Sequence, residues 1–324
     1  MSRSLTSAFV LLAMLAVPSL AVPPAALAAA PGPAPTFVER LASDPLAGTI
    51  FRPEGDVASH FTWMGRERPH FLGDRPGTLR VLYDTTLPTG RLSAPLESVL
   101  AVDGDFEFGA ILTIRSAGFH ADPQGFSQIA FGLWNAHTTG LGRTLFPSDS
   151  YDLVEADYFA NVTDFGGPFL SPSVFGGASG SNAFDNFAFQ SAEVALPFDT
   201  PLLVQGRYDA ATERLTLTVS RHTTAVTFAP IPGAAAQVDL SHLHPGFLAD
   251  VVGIAAYGEG WPSLRAEVDY DLLYVGALPA PFKVTTNPNG RVKTTDPGSL
   301  LRGGLRRLGL DRFDVQDDLH VLAK

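Results

Sequence analysis

Short runs in which apolar and polar residues alternate, separated by turn-forming residues, recur along most of this chain and predict strands rather than helices. Leu79–Tyr83, Asp105–Phe108 running into Ile111–Ile114, Ser127–Phe131, Leu153–Phe159, Leu202–Tyr208, Arg214–Ser220, Val251–Tyr257 and Arg265–Tyr274 all read this way. Within Arg214–Ser220, Leu215, Leu217 and Val219 share one face while Thr216, Thr218 and Ser220 share the other, the mark of a half-buried strand. The polar turn Asp209–Glu213 joins it to Leu202–Tyr208, which predicts an antiparallel hairpin. Many strands, hairpin connections and no convincing long helix together predict an all-β fold, a sandwich or jelly roll of antiparallel sheets.

The two ends of the chain break this pattern. Arg3, an apolar run from Ala8 to Val17 and small residues through Ala30 read as a secretory signal peptide over residues 1–30, so a secreted or extracytoplasmic product is expected. The apolar run is shorter than the ~20 residues that span a bilayer, and no later run is longer, so no transmembrane segment is expected in the mature chain. Residues 31–74 read as a proline-rich leader and N-terminal extension, 75–277 as the sandwich, and 278–324 as a C-terminal extension. In that last stretch Gly303, Gly304 and Gly309 weigh against an amphipathic helix, at about 1 kcal/mol each relative to alanine.

Composition agrees with short strands and frequent turns: 31 Gly, 26 Pro and 23 Phe against only 17% charged residues. With no cysteine, neither disulfides nor thiolate metal sites are available, so a large core must hold the fold. A net charge of -11 argues against a nucleic-acid partner and is read as ordinary solubility. The oligomeric state is left open.

Candidate chemistry gathers at one strand. In Leu153–Phe159, Glu155 and Asp157 fall two residues apart and so emerge on the same face. Adjacent carboxylates repel unless a cation lies between them, one is protonated, or both are well hydrated. Asn161 and Asp164 follow in a loop, and oxygen-only donors of this kind are what calcium takes. The competing reading is a solvated acidic strand end, with Asn161 favouring a turn. Asn161-Val162-Thr163 also matches a glycosylation acceptor pattern.

The segment Val154-Glu-Ala-Asp-Tyr-Phe-Ala-Asn161, with Asp164 beyond it, resembles the metal-binding stretch of the legume-type (L-type) lectins. The hairpin Val204–Val219 and the run from Val238 through Val252-Gly-Ile-Ala-Ala-Tyr-Gly258 resemble further segments of that family, in the family's order. The resemblance covers roughly residues 75 to 277 and implies a concanavalin A-like jelly-roll sandwich. It further implies calcium held by Asp157, the carbonyl of Phe159, Asn161 and Asp164, with Glu155 as the family's bridging acid. No His lies in Gly166–Ser173, so a second, transition-metal site is not expected. For a glycan or polysaccharide ligand the resemblance points to Asp122, Asn161, Gly258 and Trp261; Trp261 also offers a flat apolar face for a sugar ring.

A glycoside hydrolase or polysaccharide lyase on the same sandwich is the enzymatic rival. Phe159 occupies the third same-face position after Glu155 and Asp157, where retaining hydrolysis of that type would place its proton donor. A base for a lyase would have to be a His, Tyr or Lys; Tyr158 points to the opposite face, and His120 and His137 fall in loops. A non-catalytic lectin-like protein is therefore favoured, with a structural envelope protein as the third class. Glu267, Asp269 and Asp271 form a second same-face acidic ladder, read as a solvated outer face.

Overall fold

The computed structural model describes residues 37–65, 77–119, 128–142, 148–160, 168–224, 226–258 and 262–285. The signal segment read over residues 1–30 lies outside them, and among the described residues no helix is long and apolar enough to cross a membrane. The first elements are the strands β1 (Phe37–Glu39), β2 (Arg52–Gly55), β3 (Phe61–Trp63) and β4 (Leu79–Asp84), with a one-turn helix α1 (Val57–His60) between β2 and β3. Next come β5 (Gly90–Ala101), β6 (Phe106–Phe119), β7 (Ile129–Trp134), β8 (Leu153–Phe159), β9 (Phe169–Phe175), β10 (Phe187–Phe189) and β11 (Ala192–Glu193). The remaining strands are β12 (Leu202–Asp209), β13 (Arg214–Thr224), β14 (Thr227–Asp239), β15 (Leu248–Ala256), β16 (Leu264–Val275) and β17 (Lys283–Val284).

These strands form two sheets, as the alternating pattern predicts. One sheet runs β17-β14-β13-β12-β6-β16-β4-β3, with β1 also on β16; the other runs β10-β9-β8-β7-β15-β5-β2, with β11 also on β9. Among the described residues every pairing is antiparallel except β14 with β17. The expected hairpin is present, with Tyr208 opposite Leu215 and Leu202 opposite Arg221.

The core lies between the inward faces. Phe108, Leu112, Leu217, Val268 and Tyr270 from one sheet join one apolar cluster with Phe131, Leu133, Val154, Ala156 and Ile254 from the other. Each of the larger aliphatic and Phe side chains among them contributes about 1.5–3 kcal/mol by burial, most of it offset by the entropy of ordering the chain. At its centre the hydroxyls of Tyr83 and Tyr270 lie 2.7 Å apart, and Tyr83 donates to the carbonyl of Ala130 at 3.2 Å, tying the two sheets together beneath β7. Burial pushes both phenols well above their ordinary range, so the pair stays uncharged.

The sheets also draw on chain outside the stretch read as the sandwich. β1, β2 and β3 pair with β16, β5 and β4, because Phe51 and Phe61 are apolar enough to bury with the core. After Val275 the chain returns along the other side of the β6-containing sheet. Phe282 packs there with Phe228, Leu272 and Tyr274, and β17 adds to the edge of β14. The glycine-rich segment around Gly303 lies outside the described residues.

The acidic ladder on β16 is not the solvated face expected of it. Glu267 is 44% exposed, but the Asp269 side chain is 2% exposed, and Asp271 is buried. Asp269 accepts from Arg80 at 2.7 and 3.0 Å and from Arg115 at 2.7 Å, while Thr78 donates to Asp271 at 2.8 Å. The cations come from β4 and β6, strands that flank β16 only in the folded sheet.

Candidate functional site

The alternation that puts Val154, Ala156 and Tyr158 into the core turns Glu155, Asp157 and Phe159 to the opposite, outer face of β8. On that face, directly paired residues stand side by side across the strands. Glu155 has Gly132 on one flank and Ser173 on the other; Asp157 has Ala130 and Ser171. One strand further on, Gly253 pairs with Gly132 and Ala255 with Ala130. The two acids thus stand in a strip of small residues, bounded by Trp134, Leu153 and Phe175 on one side and by Tyr257, Phe159 and Phe169 on the other.

Both carboxylates are 0% exposed, which overturns the reading of a solvated acidic strand end. Burial of a charged side chain is tolerated only when partners surround it. Tyr257 supplies one: its hydroxyl donates to Oε1 of Glu155 at 2.5 Å, reaching across β7 over Ala130. Ser171 donates to the carbonyl of Pro172 at 3.1 Å. Ser173, beside Glu155, is buried, and among the described residues its hydroxyl has no partner. A buried, unpaired hydroxyl next to a carboxylate is a group that a bound cation or water satisfies.

The small residues are a steric requirement. A Cβ at Gly132 would come within 2.2 Å of the carbonyl oxygen of Val154 and 2.9 Å of the Cα of Glu155. A Cβ at Gly253 would lie 2.4 Å from the indole of Trp134, which the Arg91 guanidinium covers from 5.3 Å. Gly132→Val is expected to lower unfolding free energy in urea by at least the ~1–3 kcal/mol typical of overpacking, since main chain and not a movable side chain is struck. Gly104→Ala, where nothing lies within 4 Å, should stay within about 0.5 kcal/mol of wild type.

The registers bring five strand ends together at one end of this sheet. Tyr158 stands opposite Ile129, Ala255 opposite Ala130, Ala256 opposite Gly90, and Gly90 opposite Gly55. Gly258, expected from the sequence to contact sugar, lies there half-buried. Its N–H donates to the Thr89 hydroxyl at 2.9 Å, and a Cβ would meet the Leu87 carbonyl oxygen at 2.3 Å. Asp122, Asn161, Asp164 and Trp261 lie outside the described residues. Among the described residues no three His, Asp or Glu side chains gather around one point. Of the expected set, the structure therefore brings together Glu155 and Asp157, with the main chain of Phe159 next along the strand.

Sequence reasoning missed Tyr257, Ser173 and Gly132 as parts of this site. Tyr257 could have been suspected as the aromatic immediately before Gly258; the others depend on register, which no local pattern carries.

No known protein-family pattern matches the chain, and no curated protein is similar to it. Among solved structures, the chain is similar to peanut lectin bound to a nine-residue peptide, at 11% identity and a TM-score of 0.45, covering 75% of this chain and 97% of that one. It is also similar to the carbohydrate recognition domain of Emp47p, at 9% identity and a TM-score of 0.46, covering 74% and 93%. For a seed lectin of Lotus tetragonolobus the values are 12% and 0.45, with coverage of 76% and 99%.

Proposed function

We propose that this protein is an exported, calcium-dependent carbohydrate-binding protein without catalytic activity. The observation that carries the reading is the pair Glu155 and Asp157, fully buried on the outer face of β8 beside the Ser173 hydroxyl, which has no partner among the described residues. The donor set is oxygen only, which suits a hard divalent cation such as calcium and offers nothing to a soft metal. Asp157, Glu155 and the carbonyl of Phe159 would hold the ion, together with Asn161 and Asp164. When bound, it supplies positive charge that offsets the repulsion between the carboxylates and a polarising centre for a ligand oxygen.

The protein's own residues then have separable tasks. Tyr257 orients the Glu155 carboxylate through its hydrogen bond, and Trp261, close behind its neighbour Gly258 in sequence, would receive a sugar ring. Gly132 and Ala130 leave room for the phenol to cross β7. The sequence resemblance to L-type lectins, on three ordered segments, supports the same assignment.

A hydrolase or lyase is the reading to be distinguished. In affinity electrophoresis through gels containing soluble polysaccharides, the protein is expected to be retarded by at least one of them in calcium and released in chelator. The amount of reducing ends should stay constant over a day of incubation. Release of reducing ends, or of unsaturated sugar absorbing in the ultraviolet, would move the assignment to an enzyme on the same sandwich.

A further inference from the structure

Beside Gly258, at the same end of the sheet, lies an open cleft of about 530 Å3 lined by Gly55, Asp56, Pro88, Thr89, Leu141 and Gly142. Its volume falls in the ~300–1,000 Å3 range of small-ligand sites. Both walls are held in place. On one side the N–H of Asp56 donates to the Thr89 carbonyl at 2.9 Å, and Gly55, at φ +68°, approaches that same oxygen so closely that a Cβ would lie 2.2 Å away. Behind this wall the buried ring of His60 lies 2.7 Å from the carbonyls of both Leu82 and Pro88.

The opposite wall is set by Arg91, which is 4% exposed and paired with Glu54 at 2.6 Å. Its guanidinium donates to the carbonyls of Thr139 at 2.8 Å and Gly140 at 3.0 Å, the two residues before Leu141. Ser150 donates to the Gly142 carbonyl at 2.9 Å from the other side. The cleft is therefore formed before any ligand arrives, and little ordering entropy opposes binding there.

Its lining has two kinds of surface. Asp56 is half-buried, and its carboxylate does not cap the helix that follows it. Leu141, across the cleft, is a large apolar side chain left 36% exposed. An aspartate, whose carboxylate can accept from two neighbouring hydroxyls, and an exposed leucine lining the same cleft are complementary to a sugar ring, which has hydroxyls at its edge and C–H groups on its face.

We propose that this cleft is a second saccharide subsite, so that the protein's preferred ligand is an oligosaccharide running from the Gly258 end past Thr89 to Asp56 and Leu141. The inference rests on the carbohydrate-binding reading above. Thr89 joins the two regions, since it lines the cleft and its hydroxyl holds Gly258.

The test is calorimetric titration of the full chain in calcium with the methyl glycosides of mannose, galactose and glucose and with the matching di- and trisaccharides. Wild type should bind at least one oligosaccharide about tenfold or more tightly than its monosaccharide, as one charge-assisted contact provides. Asp56→Ala should remove most of that advantage, with monosaccharide affinity changing much less. Leu141→Ala, an exposed substitution expected to leave the thermal midpoint unchanged, should reduce the advantage in the same way. Equal affinity of wild type for mono- and oligosaccharides, or equal losses for both in the two variants, would overturn the subsite while leaving the primary reading intact. Absence of any sugar binding by wild type would overturn the carbohydrate reading itself.

Discussion

Asp157→Ala is expected to abolish the gain in stability that calcium gives the wild-type protein. Asp157 and Glu155 are both fully buried and emerge on the same side of β8, flanked across the strands by Ala130, Ser171, Gly132 and Ser173, with the Tyr257 hydroxyl on Glu155. Two ionised carboxylates so placed repel each other when no cation lies between them, which opposes folding. Removing one carboxylate relieves that repulsion, so without metal the variant should be at least as stable as wild type, apart from a small packing loss. A ligand that binds only the folded state adds RT ln(1 + [L]/Kd), about 2.7 kcal/mol at a hundred times Kd. Thermal or urea unfolding with and without calcium should show a gain of that order for wild type and none for Asp157→Ala. The two curves therefore cross: the variant is the more stable in chelator and the less stable in calcium. If Asp157 only supported the fold, its removal would lower stability by the same amount in both media.

The second large effect is expected at Asp269, far from the candidate site. Burial alone would raise its pKa, but the hydrogen bonds and charges of Arg80 and Arg115 outweigh that and hold its carboxyl below the ordinary carboxylate range. A carboxylate whose pKa is depressed on folding contributes stability that is fully present above the unfolded value, ~3.9, and is lost as pH falls through the folded value. Asp269→Ala removes the carboxylate that bridges β4, β16 and β6 and leaves Arg80 and Arg115 with more exposed partners, Glu267 at 3.4 Å and Asp199 at 3.2 Å. The cost should be about 3 kcal/mol at neutral pH, the lower end for breaking a buried pair, because Arg80 and Arg115 are 25% and 36% exposed and can turn to water. Asp269→Asn should cost less, and its difference from wild type should shrink as pH falls below about 4. Equal unfolding midpoints in urea for wild type and Asp269→Ala would sink this account of the network.

Where the hydrophobic pattern was clean, strands were legible in the sequence. β8 was read over Leu153–Phe159, where it lies, and the β12–β13 hairpin was read from its turn. β9 and β14 were not, and in both the obstacle is proline. Pro172 sits in the middle of β9, but β10 covers only the 173–175 side of that strand and β11 only 169–170. Between them, among the described residues, no strand pairs with that side of Pro172, where the N–H that proline lacks is not needed. Pro230 and Pro232 lie in β14, whose outer side, among the described residues, pairs with β17 only at Thr227 and Phe228. Proline on such an edge also discourages pairing with another chain. β5 was missed for a related reason, since Pro95 interrupts it and Arg91, Ser93, Glu97 and Ser98 break up its apolar residues.

The candidate site was half legible. Alternation places Glu155 and Asp157 together because it depends on spacing along one strand alone. Their flanking residues, the Tyr257 hydroxyl that reaches Glu155, and the arginines that neutralise Asp269 are set by which strands become neighbours and in what register. That information is distributed over the whole fold. It is also why two acidic ladders of similar appearance differ: the one on β16 meets cations from β4 and β6, while the one on β8 meets a tyrosine and a strip of glycine, alanine and serine.

The most direct test of the central claim is a glycan array probed with wild type and Asp157→Ala, each in calcium and in chelator. The account predicts binding to a defined group of glycans by wild type in calcium only, lost on chelation, restored when calcium is returned, and absent from the variant in either medium. Glycan binding that survives both chelation and the substitution would contradict it.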